Sequence, residues 1–148
     1  MKRVIISLFL ALALPAAATA EIVKVAAGGD VQTTMDALQA AVTGAGATVF
    51  ARVDHAGGAE SVGMDLDASQ LLIFGNPKLG TPAMQDDPLA GLYLPLKVLV
   101  YADTDGQVWL AYDDPADMLD DLGIPDDAAY LGAMAGALKK LTGVAAGG

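Results

Sequence analysis

One hairpin constrains the fold of this chain more than any other sequence feature. Two apolar runs, Lys97 to Ala102 and Gln107 to Tyr112, flank the tetrapeptide Asp103-Thr104-Asp105-Gly106. An Asp-Gly pair between apolar runs is a strong hairpin signal, because glycine readily takes the positive φ that a tight turn needs. The sequence therefore predicts an antiparallel strand pair in the second half of the chain.

Three further strands are predicted before this hairpin. They cover Ile22 to Ala26, Thr48 to Asp54 and Leu71 to Phe74. In the second of them, Val49, Ala51 and Val53 are expected on one side. The third is a continuous apolar run, typical of a central strand buried on both faces, and Gly75-Asn76-Pro77 is expected to close it with a turn.

Helices are predicted towards both ends of the domain. Apolar residues recur at helical spacing after the N-cap candidate Asp30 and again after Pro125-Asp126; they are Val31, Met35, Leu38 and Val42, then Leu131, Met134, Leu138 and Leu141. Shorter helices are expected to begin at Thr81-Pro82 and Asp114-Pro115. The order β-α-β-β-β-β-α predicts an α+β domain, an antiparallel sheet with helices on one face.

The first 20 residues have the features of a signal peptide. Lys2 and Arg3 precede an apolar run from Val4 to Leu14, and Ala18-Thr19-Ala20 provides small residues for cleavage. Eleven helical residues extend only about 16 Å, well short of a roughly 30 Å hydrocarbon core. The expectation is therefore a cleaved leader, residues 1–20, and a single periplasmic or secreted domain, residues 21–148.

Charge and cysteine content exclude several classes of function. The full chain carries a net charge of −10 and no cysteine. Loss of Lys2 and Arg3 with the leader makes the remainder more acidic still. Such a surface repels nucleic acid and anionic membranes, so neither is expected as a partner after cleavage. Without cysteine there is no disulfide, thiolate nucleophile or cysteine-bound metal.

Catalytic candidates are few. His55 is the only histidine and follows Asp54 at a strand end, so these two residues are the candidates for an acid or base. A structural imidazole that hydrogen-bonds across the strand end is the competing interpretation. The serines Ser61 and Ser69 do not lie in a nucleophile elbow, which argues against a catalytic triad.

The segment from Gly75 to Pro82 is the densest in possible binding residues. Its order and spacing do not match a phosphate-binding P-loop. Lys78 could nevertheless contact an anion where a helix beginning at Thr81 presents free N–H groups; a rigid turn with a solvated lysine is the alternative. Asp103-Thr104-Asp105-Gly106 resembles part of a calcium loop, but the expected ligand positions fall on tyrosines. No metal and no cofactor is predicted.

Three segments, in this order and spacing, resemble the family called domain of unknown function 302. They are Val53-Asp54-His55 followed by Ala59, then Leu71 through Pro82, then Leu94 through Tyr101. The likeness covers about residues 31–115, with a departure at Ala68-Ser69. It implies a β-α-β4-α arrangement similar to TATA-binding-protein-like domains, and dimerisation, but no established activity.

The favoured hypothesis is an exported binding or accessory module of unknown ligand, acting as a homodimer. Its ligand-binding residues would be Asn76, Lys78, Thr81 and Tyr93, with His55 beside them. One alternative is a small periplasmic enzyme that uses Asp54 or His55 on a small anionic substrate. Another is a purely structural interaction protein. The large aromatic Phe50 is expected to need cover from a helix or a second subunit.

Overall fold

The computed structural model describes residues 20–147. The predicted signal peptide therefore lies outside the described residues, apart from Ala20. Within the described part, no helix combines the length and the apolar character needed to cross a bilayer. The elements are the strands β1 (Ile22–Ala27), β2 (Thr48–Asp54), β3 (Ser69–Gly75), β4 (Leu96–Ala102) and β5 (Val108–Asp113), and the helices α1 (Val31–Gly44), α2 (His55–Glu60), α3 (Pro77–Asp86), α4 (Pro115–Met118) and α5 (Ala129–Ala145), with a 3-10 helix (Pro88–Leu92) after α3.

The five strands form one antiparallel sheet in the order β1-β5-β4-β3-β2. The predicted α+β class and the predicted hairpin are confirmed. At the hairpin turn Gly106 has a φ of +79°, and Asp103 Oδ1 accepts the N–H groups of Asp105 and Gln107 at 3.0 and 2.9 Å. The turn chemistry that the sequence indicates therefore sets the register of β4 and β5.

The core lies between one face of the sheet and the two long helices, α1 and α5. Side chains of the predicted helical stripes are nearly all fully buried, and alternate residues of β3, β4 and β5 meet them. The fully buried members include Met35, Leu38 and Val42 of α1, Met134 and Leu138 of α5, and Leu72, Val98, Val100 and Leu110 of the sheet. We call this side of the sheet the inner face.

A closed ring of polar side chains attaches α1 to the edge of the inner face. Arg52 of β2 donates through Nε to Gln70 Oε1 at 2.9 Å and through Nη1 to Asp36 of α1. Gln70 donates in turn to Gln32 Oε1 at 3.2 Å, and Gln32 donates to Asp36 at 3.1 Å. All four side chains are partnered, so this cluster fixes the position of α1 over β2 and β3.

A β-bulge at Phe50 changes the alternation of β2. Val49 pairs with the buried Phe74, whereas Ala51 pairs with Ile73 on the opposite face. The expectation that Val49, Ala51 and Val53 share one side is therefore wrong for Val49. A bulge inserts one unpaired residue, and this reverses the face of every residue after it.

The other side of the sheet, the outer face, retains partly exposed apolar side chains. Leu71 and Ile73 lie there and are not fully buried, so the prediction that β3 is buried on both faces is wrong. Their large neighbours on this face are Ile22, Val53, Leu99, Tyr101 and Trp109. Ile22 remains 59% exposed and Val53 37%.

Two helix starts differ from their predictions. α3 begins at Pro77 with Asn76 as its N-cap, and Pro82 lies inside it. Both Asn76-Pro77 and Thr81-Pro82 have the N-cap and N1 pattern, and the first pair starts the helix. The last helix starts at Ala129, because residues 125–128 form a turn in which the Ala128 N–H donates to Pro125 O at 2.9 Å.

Candidate functional site

An open pocket of about 300 Å³ lies between α3 and the strand ends that flank it. We call it the α3 pocket. Most of its lining is apolar, and it comes from β2, the end of β3, α3, the start of β4 and α5: Phe50, Gly75, Asn76, Pro77, Leu79, Gly80, Thr81, Met84, Leu94, Pro95, Leu96 and Met134. Ligand pockets typically measure about 300–1,000 Å³, so this one suits a small molecule.

One wall is the first half of α3, and its backbone is fully used by the helix itself. Asn76 Oδ1 accepts the Lys78 N–H at 3.0 Å, and Asn76 O accepts the N–H groups of Leu79 and Gly80 at 2.9 and 3.0 Å. Pro77 has no N–H. The expectation of free N–H groups around a helix starting at Thr81 is therefore wrong, because the helix starts at Pro77 and the N–H groups of Lys78, Leu79 and Gly80 are already bonded.

The opposite wall is the segment Leu94-Pro95-Leu96, with a cis peptide bond between Leu94 and Pro95. Lys97 stabilises this segment, because its Nζ donates to Tyr93 O at 2.6 Å and to Pro95 O at 3.2 Å. Lys97 is half-buried and is not part of the pocket lining. A lysine is thus used to hold the backbone that presents Leu94 and Pro95.

Two glycines keep the pocket open. A Cβ on Gly75 would lie 3.4 Å from both the Phe50 ring and Pro95, and a Cβ on Gly80 would lie 3.7 Å from Leu94 and 3.9 Å from Met84. Phe50 and Met84 form an exposed apolar rim, 57% and 40% accessible respectively. The bulge places Phe50 at this rim, a role that alternation along β2 could not reveal.

The structure brings only part of the predicted site together. Asn76 and Thr81 line the α3 pocket, whereas Lys78 and Tyr93 do not.

Asp54 caps α2 by accepting the Gly57 N–H at 2.9 Å. His55 is the exposed first residue of α2, and its imidazole makes no hydrogen bond within residues 20–147, so the interpretation as a bonded structural imidazole is wrong.

Polar contacts at the far end of α3 hold the helix in place. Asp87 accepts the N–H groups of Gly123 and Leu89, both of which lower the pKa of its carboxyl. The Tyr130 hydroxyl of α5 donates to Asp86 Oδ2 at 2.7 Å. Burial, together with that carboxylate, raises the pKa of Tyr130 to about 12. These contacts connect α3 to α5 and to the loop before it, away from the pocket lining.

The lining of the α3 pocket contains few groups that could take part in a reaction. Within the described chain, no lining residue has a titratable side chain, and no group of three or more potential metal ligands occurs. Polar side chains are limited to Asn76 and Thr81. The lining therefore offers mainly apolar contacts and two uncharged polar side chains.

Residues 23–144 match the family described as "Domain of unknown function DUF302". The chain belongs to this family. A crystal structure of an uncharacterized conserved DUF302 protein from Bacillus stearothermophilus has a similar fold, with a TM-score of 0.76 at 17% identity. That likeness covers 84% of this chain and 97% of the Bacillus chain. The resemblance that the sequence motifs indicated is confirmed at the level of family and fold.

Curated relatives are longer proteins. The chain is 40% identical over 110 residues to the fluoride-specific ion channels FluC 1 of Brucella suis and FluC 1 of Brucella abortus, covering 73% of this chain. It spans only 43% and 41% of the lengths of those two proteins. The likeness therefore concerns under half of each Brucella protein.

Proposed function

We propose that this chain is an exported binding module that retains a small, uncharged, largely apolar molecule in the α3 pocket. The observation that carries the proposal is the origin of the pocket walls. Two of the segments by which the chain resembles its family, Leu71 to Pro82 and Leu94 to Tyr101, supply nine of the lining residues. Segments distant in sequence thus meet to form one concave surface, as expected of a binding site on a rigid scaffold.

Charge supports an uncharged ligand. The whole chain carries a net charge of −10, and within the described residues no basic side chain lines the pocket. An anion would exchange its hydration for apolar contacts, which is strongly unfavourable. This also weakens the alternative of an enzyme acting on a small anionic substrate through Asp54 or His55, neither of which lines the pocket.

The test is a fluorescence titration of the purified protein with N-phenyl-1-naphthylamine, an uncharged probe that brightens in apolar surroundings. Saturable binding is expected for the wild type. Gly80→Leu should weaken it at least about tenfold, because its side chain extends into the pocket, where burial of apolar groups drives binding. Gly136→Leu is the matched control, since Gly136 is an exposed glycine inside α5 and a Cβ added there would meet no atom within 4 Å.

Equal probe affinity in Gly80→Leu and the wild type would refute binding in this pocket. Circular dichroism of both variants shows whether each is folded before the affinities are compared. Should Gly80→Leu not fold, Phe50→Ala removes a rim side chain that is 57% exposed and tests the same surface. Unchanged affinity in that variant would count equally against the proposal.

Export is part of the proposal and rests on the sequence of residues 1–20. Cleavage after Ala20 would leave Glu21 as the first residue, one position before β1 begins. The first strand of the described residues thus begins at the second residue after the proposed cleavage point. Intact-mass measurement of the protein from its native host tests this: a chain beginning at Glu21 is expected, and an intact chain that retains Met1 would refute export.

A homodimer formed through the outer face is the second part of the proposal. Among its strand positions the charged side chains are Lys24, Lys97 and Asp113, so two acidic copies can approach there without facing rows of carboxylates. Five strands of six or seven residues offer about 500 Å², below the roughly 800 Å² per partner of a standard interface. We therefore expect a dimer that dissociates on dilution.

Light scattering at several concentrations tests this interface. The mass should rise from one chain towards two as concentration increases, and Leu99→Lys, at the centre of the outer face, should abolish the rise. Val62→Lys is the control, because Val62 is 69% exposed in the loop before β3. A single-chain mass at every concentration, or a dimer that survives Leu99→Lys, would contradict the proposed interface.

The Brucella relatives favour a second candidate, an accessory role beside an ion channel. In those proteins a segment similar to this chain belongs to a longer protein named as a fluoride-specific ion channel. The test is growth of the native host with and without this gene at increasing sodium fluoride, with sodium chloride as the matched salt. Greater sensitivity of the deletion strain to fluoride alone is expected, and equal sensitivity would refute the role.

A further inference from the structure

Two polar side-chain groups on the wall of the α3 pocket are not used by the fold. Asn76 Oδ1 is occupied by the Lys78 N–H at 3.0 Å, while Asn76 Nδ2 has no hydrogen-bond partner within residues 20–147. The Thr81 hydroxyl is likewise without one in the same part of the chain. Polar groups in a mainly apolar pocket usually fix the orientation of a ligand and determine its specificity.

The apolar residues of the lining further restrict the class of ligand that fits the pocket. Phe50 offers an aromatic ring at the rim, and the two methionines Met84 and Met134 belong to the same lining. Thioether sulfur makes favourable contacts with aromatic rings, and aromatic pairs add to the gain from burial. A flat aromatic group therefore gains more in this pocket than a branched aliphatic group of equal size.

We infer that the α3 pocket selects a neutral aromatic molecule that carries a hydrogen-bond acceptor such as a carbonyl oxygen, and that Asn76 is its specificity-determining residue. Asn76 Nδ2 donates to that oxygen while Asn76 Oδ1 continues to cap α3. This inference rests on the proposed function, because it names the class of ligand for the same pocket.

One substitution separates the two roles of Asn76. Asparagine and aspartate are about equally good N-caps, and a negative charge is favourable at a helix N-terminus. Asn76→Asp therefore keeps the acceptor for the Lys78 N–H but replaces the Nδ2 donor by a carboxylate oxygen. The helix should be preserved, and only the hydrogen bond to the ligand should be lost.

The experiment is a set of ¹H–¹⁵N correlation titrations of the purified protein with acetophenone, ethylbenzene and benzoate. The three probes have similar size but carry a neutral acceptor, no acceptor and a negative charge respectively. One net hydrogen bond corresponds to about threefold to tenfold in affinity, so acetophenone should bind the wild type more tightly than ethylbenzene by that factor. Benzoate should bind most weakly.

Asn76→Asp should lower the affinity for acetophenone to that for ethylbenzene or below. Ethylbenzene itself should keep its wild-type affinity within about twofold, with an unchanged thermal midpoint of unfolding. Thr81→Val, which replaces the hydroxyl by a methyl of similar shape, should retain the preference for acetophenone. Loss of the preference in Thr81→Val and not in Asn76→Asp would overturn the assignment to Asn76.

The outcomes distinguish this inference from the proposed function. Equal affinities of acetophenone and ethylbenzene, unchanged in Asn76→Asp, would overturn the inference and leave an unselective apolar pocket. Benzoate as the tightest probe would overturn the neutrality of the ligand. Failure of all three probes and of N-phenyl-1-naphthylamine to bind the wild type would overturn the inference together with the proposed function.

Discussion

Gly80→Ala should make the protein more stable while making the α3 pocket smaller. Gly80 is the fourth residue of α3, and its N–H already bonds to Asn76 O at 3.0 Å. Alanine in a helix interior is more favourable than glycine by about 0.5–1 kcal/mol. The new methyl would meet Leu94 at 3.7 Å and Met84 at 3.9 Å, both ordinary contact distances, so no strain offsets this gain.

The added contacts contribute a further part of the expected stability. Full burial of one methylene stabilises by about 0.8 kcal/mol, and Gly80 is only half-buried, so about half of that is expected. The total is about 1–1.5 kcal/mol in the free energy of unfolding. For a domain of this size that corresponds to a rise of about 4–6 °C in Tm.

The assay is urea unfolding followed by circular dichroism, with a thermal scan and a titration with N-phenyl-1-naphthylamine. Gly136→Ala in α5 is the control for helix propensity alone, because its added methyl touches nothing within 4 Å. Gly80→Ala should stabilise at least as much as Gly136→Ala and bind the probe less tightly. A lower Tm for Gly80→Ala, or higher stability with tighter binding, would refute the geometry assigned to this wall.

Two further predictions concern the scaffold. The Trp109 Nε1–H group donates to Asp103 Oδ2 at 2.8 Å and lowers the pKa of that carboxyl. The ionised Asp103 therefore stabilises the hairpin fully above the ordinary carboxyl pKa of about 3.9. This stabilisation is lost as the pH falls through the lowered pKa. Fluorescence of Trp109, the single tryptophan, should report this acid transition in the wild type and not in Asp103→Asn; an identical transition in both would contradict the assignment. Leu38→Ala should lower the free energy of unfolding by about 2–5 kcal/mol, because Leu38 is 0% exposed. Leu92→Ala, at a residue 79% exposed, should change it by less than about 0.5 kcal/mol in the same urea titrations, and equal losses would contradict the assigned core.

Local patterns predicted most of the scaffold because each acts within a few residues. The apolar stripe and Asp30 predicted α1 from its first residue, and the Asp-Gly pair predicted the β4–β5 hairpin. The start of α3 was missed because two similar Xaa-Pro pairs, Asn76-Pro77 and Thr81-Pro82, competed for it. Composition within the segment gave no basis for choosing between them.

The pocket was not predictable in the same way, because its parts are far apart in the sequence. Asn76 and Thr81 were named as ligand-binding candidates and do line it. Phe50 joins them only because of the bulge in β2, and one inserted residue leaves no mark in the alternation before it. The opposite wall, Leu94 to Leu96, follows α3 and the 3-10 helix, and it lies beside Gly75 because β4 pairs with β3.

The connection between β3 and β4 indicates why the pocket lies where it does. These strands are adjacent and antiparallel, and Phe74 and Leu96 form their last pair; two to five residues would suffice to join such strands. The chain instead uses residues 76–95, which form α3 and the 3-10 helix and place only Ala83 and Ala90 fully in the core. So long a connection adds the entropic cost of ordering its residues, while most of its apolar side chains remain outside the core and several of them line the α3 pocket. What this connection contributes to the structure is a wall of the α3 pocket. This supports the proposed binding role for this part of the domain.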